Sequence, residues 1–161
     1  YGDREKKLEI LKDPHCGAFA VIRLCSYFAA YLALCACVRF TPRAGLLWTL
    51  ALVLERALSG LAVAAFPLAK NTGLAHTFAT AADRTAVRNV LIVLAAGLSA
   101  VLLALGGWAL VLAALLCLWR YHAVAQKQFG GITGDLAGWF LQKTEIWMLA
   151  ALAACQWGGL L

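Results

Sequence analysis

The 161-residue chain is 63% hydrophobic and only 14% charged, whereas soluble domains usually carry about 25% charged residues. This composition excludes an ordinary water-soluble fold, and the length leaves room for four to six membrane spans of roughly 20 residues each. The net charge of +6 does not indicate a nucleic-acid binder, because the basic residues stand at the ends of apolar runs and not on a solvated patch. We therefore predict one all-α membrane domain over residues 1–161.

The N-terminal segment has the pattern of a short amphipathic helix. Residues 3–13 carry Leu8 and Leu11 on one helical face and charged residues elsewhere, which predicts a helix lying on the membrane surface. Pro14 interrupts this helix, because proline disfavours helical conformation in the residue before it.

Apolar runs after this helix predict about five membrane spans, which pack as a helical bundle. The predicted spans are residues 17–38, 44–68, 86–105, 108–125 and 139–161. The third and fourth spans share one charge-free run of 30 residues, which is too long for one crossing at 1.5 Å per residue. Gly106 and Gly107 lie at the middle of this run, and their permissive backbone predicts a hairpin there.

This topology gathers residues 1–16, 69–89 and 120–145 at one membrane face. The basic residues of that face are Arg4, Lys6, Lys7, Lys12, Lys70, Arg84, Arg88, Arg120, Lys127 and Lys143. Only Arg39 and Arg43 lie at the opposite face. Cytoplasmic loops carry an excess of Lys and Arg, so we expect the polar face to meet the cytoplasm at a bacterial inner membrane.

The segment FGGITGDLAG, residues 129–138, combines glycines, a threonine and an aspartate where a span begins. Successive glycines let backbone N–H groups converge on a phosphate, and the start of the next helix adds a favourable dipole. Asp135 is then a candidate ligand for Mg²⁺ beside that phosphate. The alternative is a simple helix break with Asp135 as the N-cap, and the composition does not separate the two interpretations.

Four further charged residues are candidates for function. Glu55 and Arg56 lie within a span, where ionisable groups usually pair, face a cavity or do chemistry; as helix neighbours they are not expected to point the same way. Asp13 and Glu145 are expected at polar helix ends on the same face as Asp135. Arg23 is close enough to the end of its span to snorkel to the surface, or it contacts a phosphate.

Several segments together resemble one known family. FGGITGDLAG and its continuation to Glu145 resemble the glycine-rich signature of the cobalamin synthase family, the adenosylcobinamide-GDP ribazoletransferases. LEILKDPHCGAFAV, residues 8–21, is similar to the family's charged segment that opens into Gly-x-Phe-Gly, although Ala20 replaces the second glycine. ERALSG at 55–60 and FPLAKNTGL at 66–74 look like the family's Arg-bearing span and its Pro-x-Ala-basic-x-x-Gly exit.

The resemblance implies the last assembly step of cobalamin. A ribose hydroxyl of α-ribazole, or of its phosphate, attacks adenosylcobinamide-GDP and GMP is released. The implied cofactor is Mg²⁺ with Asp135 as its ligand, and the implied catalytic candidates are Asp135, Asp13 and Glu145. The residues expected to contact the substrates are Gly131, Thr133, Gly134, Arg23, Arg56, Lys70 and Asn71.

The chain departs from the family pattern in one respect. Family members carry an acidic His-x-Asp-Gly pattern before this region, and no such pattern occurs in these 161 residues. We therefore expect the chain to correspond to the C-terminal two-thirds of the enzyme and to be incomplete alone. The lipid bilayer is an expected partner, and assembly into a homo-oligomer stays open.

Two other functions also stay open. A lipid enzyme like the CDP-alcohol phosphatidyltransferases would share the spans, Mg²⁺ and a pyrophosphate, but it calls for a DGxxAR run, which this sequence lacks. A membrane scaffold or small transporter would use Glu55 and Arg56 along an interior path. A transporter predicts polar residues through the depth of several spans, whereas the topology above predicts that they cluster at one face.

Overall fold

The computed structural model describes residues 3–11, 13, 15–39, 41–69 and 83–161. Within these residues the chain is all-α, as predicted, with one short π-helical turn. The helices are α1 (Arg4–Ile10), α2 (Ala18–Cys37), α3 (Pro42–Ala65), α4 (Arg84–Ala104), α5 (Trp108–Val124), the π-helical turn Ala125–Phe129 and α6 (Gly134–Trp157).

The helices α2 to α5 have the length and composition of membrane spans. With the π-helical turn included in α5, these four helices contain 20 to 24 residues each and are apolar enough to cross a bilayer. Helix α6 has 24 residues, or about 36 Å at 1.5 Å per residue, but it carries Lys143 and Glu145 and lies outside this apolar set. The chain is therefore a polytopic helical membrane bundle, and α6 occupies the position of the predicted fifth span.

Local sequence explains where the helices begin and end. Helix α1 begins after Asp3, whose side chain accepts a hydrogen bond from Arg4 N at 2.8 Å; the helix is shorter than the predicted 3–13, and Pro14 lies outside the described residues. Helix α3 ends at Ala65, because the following Pro67 disfavours helical conformation in Phe66. The N-cap of α4 is Asp83, whose side chain accepts hydrogen bonds from the backbone N–H groups of Thr85 and Ala86.

The predicted hairpin between the third and fourth spans is confirmed. Gly106 has a φ of 85°, a left-handed conformation that glycine adopts without steric cost. The N–H of Gly107 donates to Leu102 O at 2.7 Å, which ends α4, and α5 then runs back along the bundle. One charge-free run therefore folds into two antiparallel helices.

The core lies where α3 packs against α4 and α6, and α5 packs against α6. Its fully buried large side chains include Leu47, Leu54, Leu102, Phe140 and Met148. Small residues along α3 let the neighbouring backbones approach closely, as is common in membrane bundles. Helix α2 differs, because it has no buried residue and packs mainly against α6.

Side chains tie the helix ends together at each end of the bundle. At the end opposite the predicted polar face, Arg39 N donates to Gln156 Oε1 at 2.9 Å and Gln156 Nε2 donates to Arg39 O at 2.8 Å. At the polar end, Arg84 Nε donates to Ala64 O at 2.7 Å. The helix ends therefore group as the predicted topology requires, with Arg39 and Arg43 at the end that also holds the hairpin between α4 and α5, where Arg43 Nη2 donates to Leu105 O at 2.8 Å.

Candidate functional site

The connection between α5 and α6 is a compact turn, residues 129–135, which we call the glycine loop. It follows the π-helical turn, and such turns are frequent at functional sites. Gly130 has a φ of 68°, and its N–H donates to Gln126 O at 3.1 Å. The N–H of Gly131 donates to Ala125 O at 3.1 Å. The two glycines thus close one helix and turn the chain toward the next.

The glycine loop is held against the segment that leaves α3. Ala69 N donates to Ile132 O and Ile132 N donates to Pro67 O, each at 2.9 Å, in a short parallel bridge. A Cβ atom on Gly131 would lie 2.6 Å from Ala69 N and 2.7 Å from Pro67 O, so the close approach requires glycine. The segment FGGITGDLAG and the residues 66–69 of FPLAKNTGL, distant in sequence, therefore meet at one end of the bundle.

Aromatic side chains of α5, α6 and the α3 exit pack together beside the contact between the glycine loop and residues 67–69. The ring of Phe66, just after α3, lies 4.5 Å from the ring of His122 and 6.3 Å from that of Tyr121. Tyr121 stacks on Phe140 of α6 at 5.2 Å. Such ring pairs add to the stabilisation that their buried area already gives. They fix the exit of α3 against α5 and α6.

Thr133, and not Asp135, caps helix α6. Thr133 Oγ1 accepts from Leu136 N at 3.3 Å, so the alternative that made Asp135 the N-cap is wrong. Asp135 lies in the first turn, is exposed, and makes no hydrogen bond or ion pair with any residue that the structure describes. Within the same part of the chain, the N–H groups of Gly134 and Asp135 also have no acceptor.

A basic side chain that sequence reasoning missed lies on the glycine loop. The guanidinium group of Arg4 occupies the space where a Cβ on Gly130 would stand, and α1 packs against the π-helical turn. No spacing rule connects residue 4 with residue 130, so only the folded bundle reveals the contact. It adds a positive charge to the glycine loop at the C-terminal end of the π-helical turn.

A second group of polar side chains lies deeper in the bundle, and we call Tyr27, Glu55, Arg56 and Glu145 the charge cluster. Arg56 Nη2 donates to Glu145 Oε1 at 2.8 Å, and Tyr27 Oη donates to Glu145 Oε2 at 3.4 Å. Arg56 Nε lies 3.4 Å from Glu55 Oε1. Glu55 is fully buried whereas Arg56 is 58% exposed, so the two neighbours leave the helix in different directions as expected, and only the length of the Arg56 side chain brings its Nε back to Glu55.

The depth of Glu145 also differs from the prediction. We expected it near the polar end of a span that begins at residue 139, but the Thr133 cap starts α6 at Gly134. Glu145 thus lies eleven residues along the helix, or about 16 Å from its start. The predicted site divides into two groups, the glycine loop at the polar end and the charge cluster near mid-depth.

Asp13 forms a local turn instead of joining either group. Its Oδ1 accepts from His15 N at 2.9 Å and lies 2.7 Å from His15 Nδ1. These two hydrogen bonds, the backbone one first, lower the pKa of Asp13 from its ordinary value of 3.8. An aspartate that bonds the backbone two residues ahead is typical of a turn after a helix.

The remaining predicted site residues are placed as follows. Arg23 lies on α2 with an exposed side chain. Lys70 and Asn71 lie outside the described residues, directly after the segment that pairs with the glycine loop. Among the described residues, no three His, Cys, Asp or Glu side chains gather as a metal-binding group. Within the described residues, the glycine loop therefore offers one carboxylate without a partner, Asp135, and not a complete ligand set.

Fold and site together define a polytopic helical membrane protein with a glycine loop and an exposed aspartate in the first turn of α6. The family described as cobalamin-5-phosphate synthase matches residues 1–153. The chain belongs to this family, as the sequence resemblance predicted.

Curated relatives agree with this assignment. An adenosylcobinamide-GDP ribazoletransferase of Lachnoclostridium phytofermentans is 43% identical over 160 residues, which cover 95% of this chain and 58% of the relative. The protein of the same name from Pseudomonas syringae pv. syringae is 36% identical over 161 residues, or 95% of this chain and 62% of the relative. The chain thus spans about three-fifths of the length of these relatives. No solved structure matches it.

Proposed function

We propose that this chain is part of a membrane-bound transferase that joins α-ribazole, or its phosphate, to adenosylcobinamide-GDP with release of GMP. The observation that carries the proposal is the family match over residues 1–153. The relatives' name, adenosylcobinamide-GDP ribazoletransferase, supplies the substrates. The glycine loop adds a physical reason, since it offers donors and charge for a phosphate at a helix start.

In this proposal, binding a pyrophosphate depends first on backbone groups at the start of α6. The N–H groups of Gly134 and Asp135 are free of acceptors among the described residues, and a helix N-terminus favours an anion. Gly131 does not bind phosphate through its N–H, because that group donates to Ala125 O. Its role is to allow close packing, since it has no Cβ atom to clash with residues 67–69. Thr133 holds the helix start in place through its cap.

We assign the surrounding basic side chains to the charge of the substrate phosphates. Arg4 lies on Gly130, and Lys70 and Asn71 directly follow the segment paired with the loop. Arg23 is a more distant candidate on α2. A ribose hydroxyl would form a bond to the phosphorus next to cobinamide while the bond to the GMP oxygen breaks, and these cations would stabilise the negative charge that develops.

We propose that Asp135 takes part in holding one Mg²⁺. Magnesium is usually bound through one or two carboxylates together with substrate phosphates and water, so an exposed carboxylate without a partner among the described residues fits this use. When bound, the ion would neutralise phosphate charge. Asp13, with its carboxylate in a local turn, is a weaker candidate for a second ligand.

Glu145 and Arg56 take a supporting part in this proposal. They pair with each other at 2.8 Å, about 16 Å along α6 from the glycine loop, so we assign them to fixing helix positions and not to the phosphates. The polar end would face the cytoplasm of a bacterial inner membrane, in keeping with its excess of basic residues.

The test uses membranes that contain the complete enzyme to which this chain belongs. With adenosylcobinamide-GDP and α-ribazole both present, we expect release of GMP and formation of the joined product, and neither substrate alone should give turnover. Replacement of the substrates by a CDP-activated lipid and an alcohol tests the alternative lipid enzyme. Release of CMP in that reaction, without GMP release in the first, would overturn the proposal.

A further inference from the structure

The charge cluster brings two carboxyl groups and one guanidinium group together inside the bundle. Arg56 lies nine residues before the end of α3, and Glu145 lies eleven residues after the start of α6. At 1.5 Å per residue, both are about 14–17 Å from the polar end, which is near the middle of a hydrocarbon core about 30 Å thick. A surplus charge at this depth is costly.

Glu55 lacks the hydrogen bonds that a buried carboxylate needs. Its side chain is 0% exposed, and neither carboxyl oxygen accepts a hydrogen bond from any residue that the structure describes. Arg56 Nε lies 3.4 Å from Glu55 Oε1, beyond the usual 2.7–3.2 Å of an N–H···O bond, and Arg56 Nη2 donates to Glu145 instead. A buried anion without donors is strongly unfavourable.

The second carboxyl group explains how Glu55 is satisfied. Arg56 brings the two carboxyl groups together, because its guanidinium nitrogens lie 3.4 Å from Glu55 Oε1 and 2.8 Å from Glu145 Oε1. Two carboxylates can only accept hydrogen bonds, whereas a protonated carboxyl group donates one. We propose that Glu55 and Glu145 share a single proton, with Glu55 as a neutral acid that donates to Glu145 and Glu145 as the carboxylate that pairs with Arg56.

The other titratable groups near Glu55 and Glu145 do not change the net charge of the cluster. On α2, Tyr27 donates to Glu145 at 3.4 Å and its ring lies 6.0 Å from that of Tyr31; on α5, Cys117 Sγ lies 3.9 Å from Lys143 O. Phenol and thiol groups are neutral at pH 7 in their protonated forms, so they add no positive charge. On α6, Thr144 donates to Phe140 O at 2.8 Å and does not serve the carboxyl groups. One proton on Glu55 therefore leaves one cation and one anion, a net charge of zero.

The inference does not depend on the proposed function. Glu55 is a positioning residue in this account, because its O–H holds one oxygen of Glu145 while Arg56 holds the other. Tyr27 of α2 donates a hydrogen bond to the same carboxylate of Glu145, which links α2 to α6. A neutral acid and an ion pair thus join α2, α3 and α6 at a depth where hydrogen bonds to water are absent.

Infrared spectroscopy of the purified chain in dodecyl maltoside, a detergent without carbonyl groups, tests the proposal at pH 7. We expect one carbonyl-stretching band of a protonated carboxyl group per chain, with a shift in D₂O. Glu55→Gln should remove the band. Glu145→Gln should remove it too, because Glu55 then becomes the anion that pairs with Arg56. Arg56→Met should double it, because both carboxyl groups are then neutral.

Glu5→Gln on the exposed helix α1 is the matched control and should leave the band unchanged. Glutamine has the shape of a neutral glutamic acid, so Glu55→Gln should keep the helical content and the gel-filtration profile of the unchanged chain. A spectrum without a protonated carboxyl band, or a band that survives Glu55→Gln, would overturn the proposal. Unfolding of Glu55→Gln under conditions where Glu145→Gln stays folded would contradict it as well.

Discussion

The glycine loop and the charge cluster are two polar regions of the same bundle, and they are built in opposite ways. The glycine loop is made largely of backbone: Ile132 bonds to Pro67 and Ala69 at 2.9 Å, and the N–H groups of Gly130 and Gly131 donate to the π-helical turn at 3.1 Å. The charge cluster is made of side chains from α2, α3 and α6 that meet between helices. One region lies at a helix start beside polar loops, and the other lies near mid-depth.

This difference in construction assigns ligand binding to the glycine loop and structural stabilisation to the charge cluster. Backbone N–H groups at the start of α6 and the side chain of Asp135 have no partner among the described residues and are available to a ligand at the polar end. In the charge cluster, Glu145 is already engaged by Arg56 and Tyr27. Variants at Asp135 should therefore lower turnover most, whereas variants in the charge cluster should affect stability and leave turnover largely intact.

The largest effect is expected at Asp135. In the complete enzyme, Asp135→Asn keeps the size of the side chain but removes the charge proposed to hold Mg²⁺. GMP release should fall by about 100-fold or more, the scale of losing one group that stabilises developing charge, with membrane insertion intact. Glu9→Gln, an exposed carboxylate of α1, is the control and should keep its turnover. Normal turnover in Asp135→Asn would remove Asp135 from the site.

The next effect is expected where the loop backbone meets the α3 exit. A Cβ in Gly131→Ala would stand 2.6 Å from Ala69 N, so the bridge must open and the free energy of unfolding should fall by about 2 kcal/mol. Gly138→Ala is the matched control, because nothing lies within 4 Å of its Cβ position in α6. That variant should gain about 0.5–1 kcal/mol. Thermal unfolding in detergent measures both, and equal behaviour of the two variants would contradict the bridge.

A smaller effect is expected in the charge cluster. Glu145→Gln removes the anion that pairs with Arg56, whose side chain is 58% exposed. Because Glu55 then becomes the anion that faces Arg56, the ion pair is replaced and not broken, and the loss of stability should be about 1 kcal/mol, the scale of one lost hydrogen bond, less than the 3–5 kcal/mol typical of a broken buried pair. Turnover of the complete enzyme should fall far less than in Asp135→Asn. A turnover loss as large as that of Asp135→Asn would move Glu145 into the reacting site.

The smallest effect is expected at Asp13. Its lowered pKa means that the folded state binds this proton less tightly, so its contribution to stability is present above pH 3.8 and is lost as the pH falls through the folded-state pKa. His15→Ala removes the side-chain hydrogen bond but keeps the backbone one. The pKa of Asp13, followed by NMR, should therefore rise only part of the way toward 3.8. An unchanged pKa would show that the His15 ring has no effect.

The sequence predicted the helices well because hydrophobic run lengths and turn residues act locally. The hairpin at Gly106 and Gly107 and the spans on either side lie close to their predicted positions. The start of α6 was misplaced by five residues, since the Thr133 cap extends the helix into the glycine-rich segment. That single shift moved Glu145 from the polar end to mid-depth.

The contacts that build the two polar regions were not predictable from the sequence in the same way. Pairing of Ile132 with Pro67 and Ala69, and the position of Arg4 on Gly130, depend on how distant helices pack. The glycines predicted a close approach to the loop backbone, but they did not predict that residues 67–69 are the segment that makes it. The approach of Glu55 to Glu145 likewise follows from the packing of α3 against α6.

The central claim is that α1, the exit of α3 and the glycine loop share one membrane face. Single cysteines at positions 13, 135 and 43, each in a chain whose six native cysteines are replaced by alanine, can be labelled with an impermeant maleimide in oriented vesicles. We predict that positions 13 and 135 react from the same side and position 43 from the other. Reaction of positions 13 and 135 from opposite sides would contradict the account.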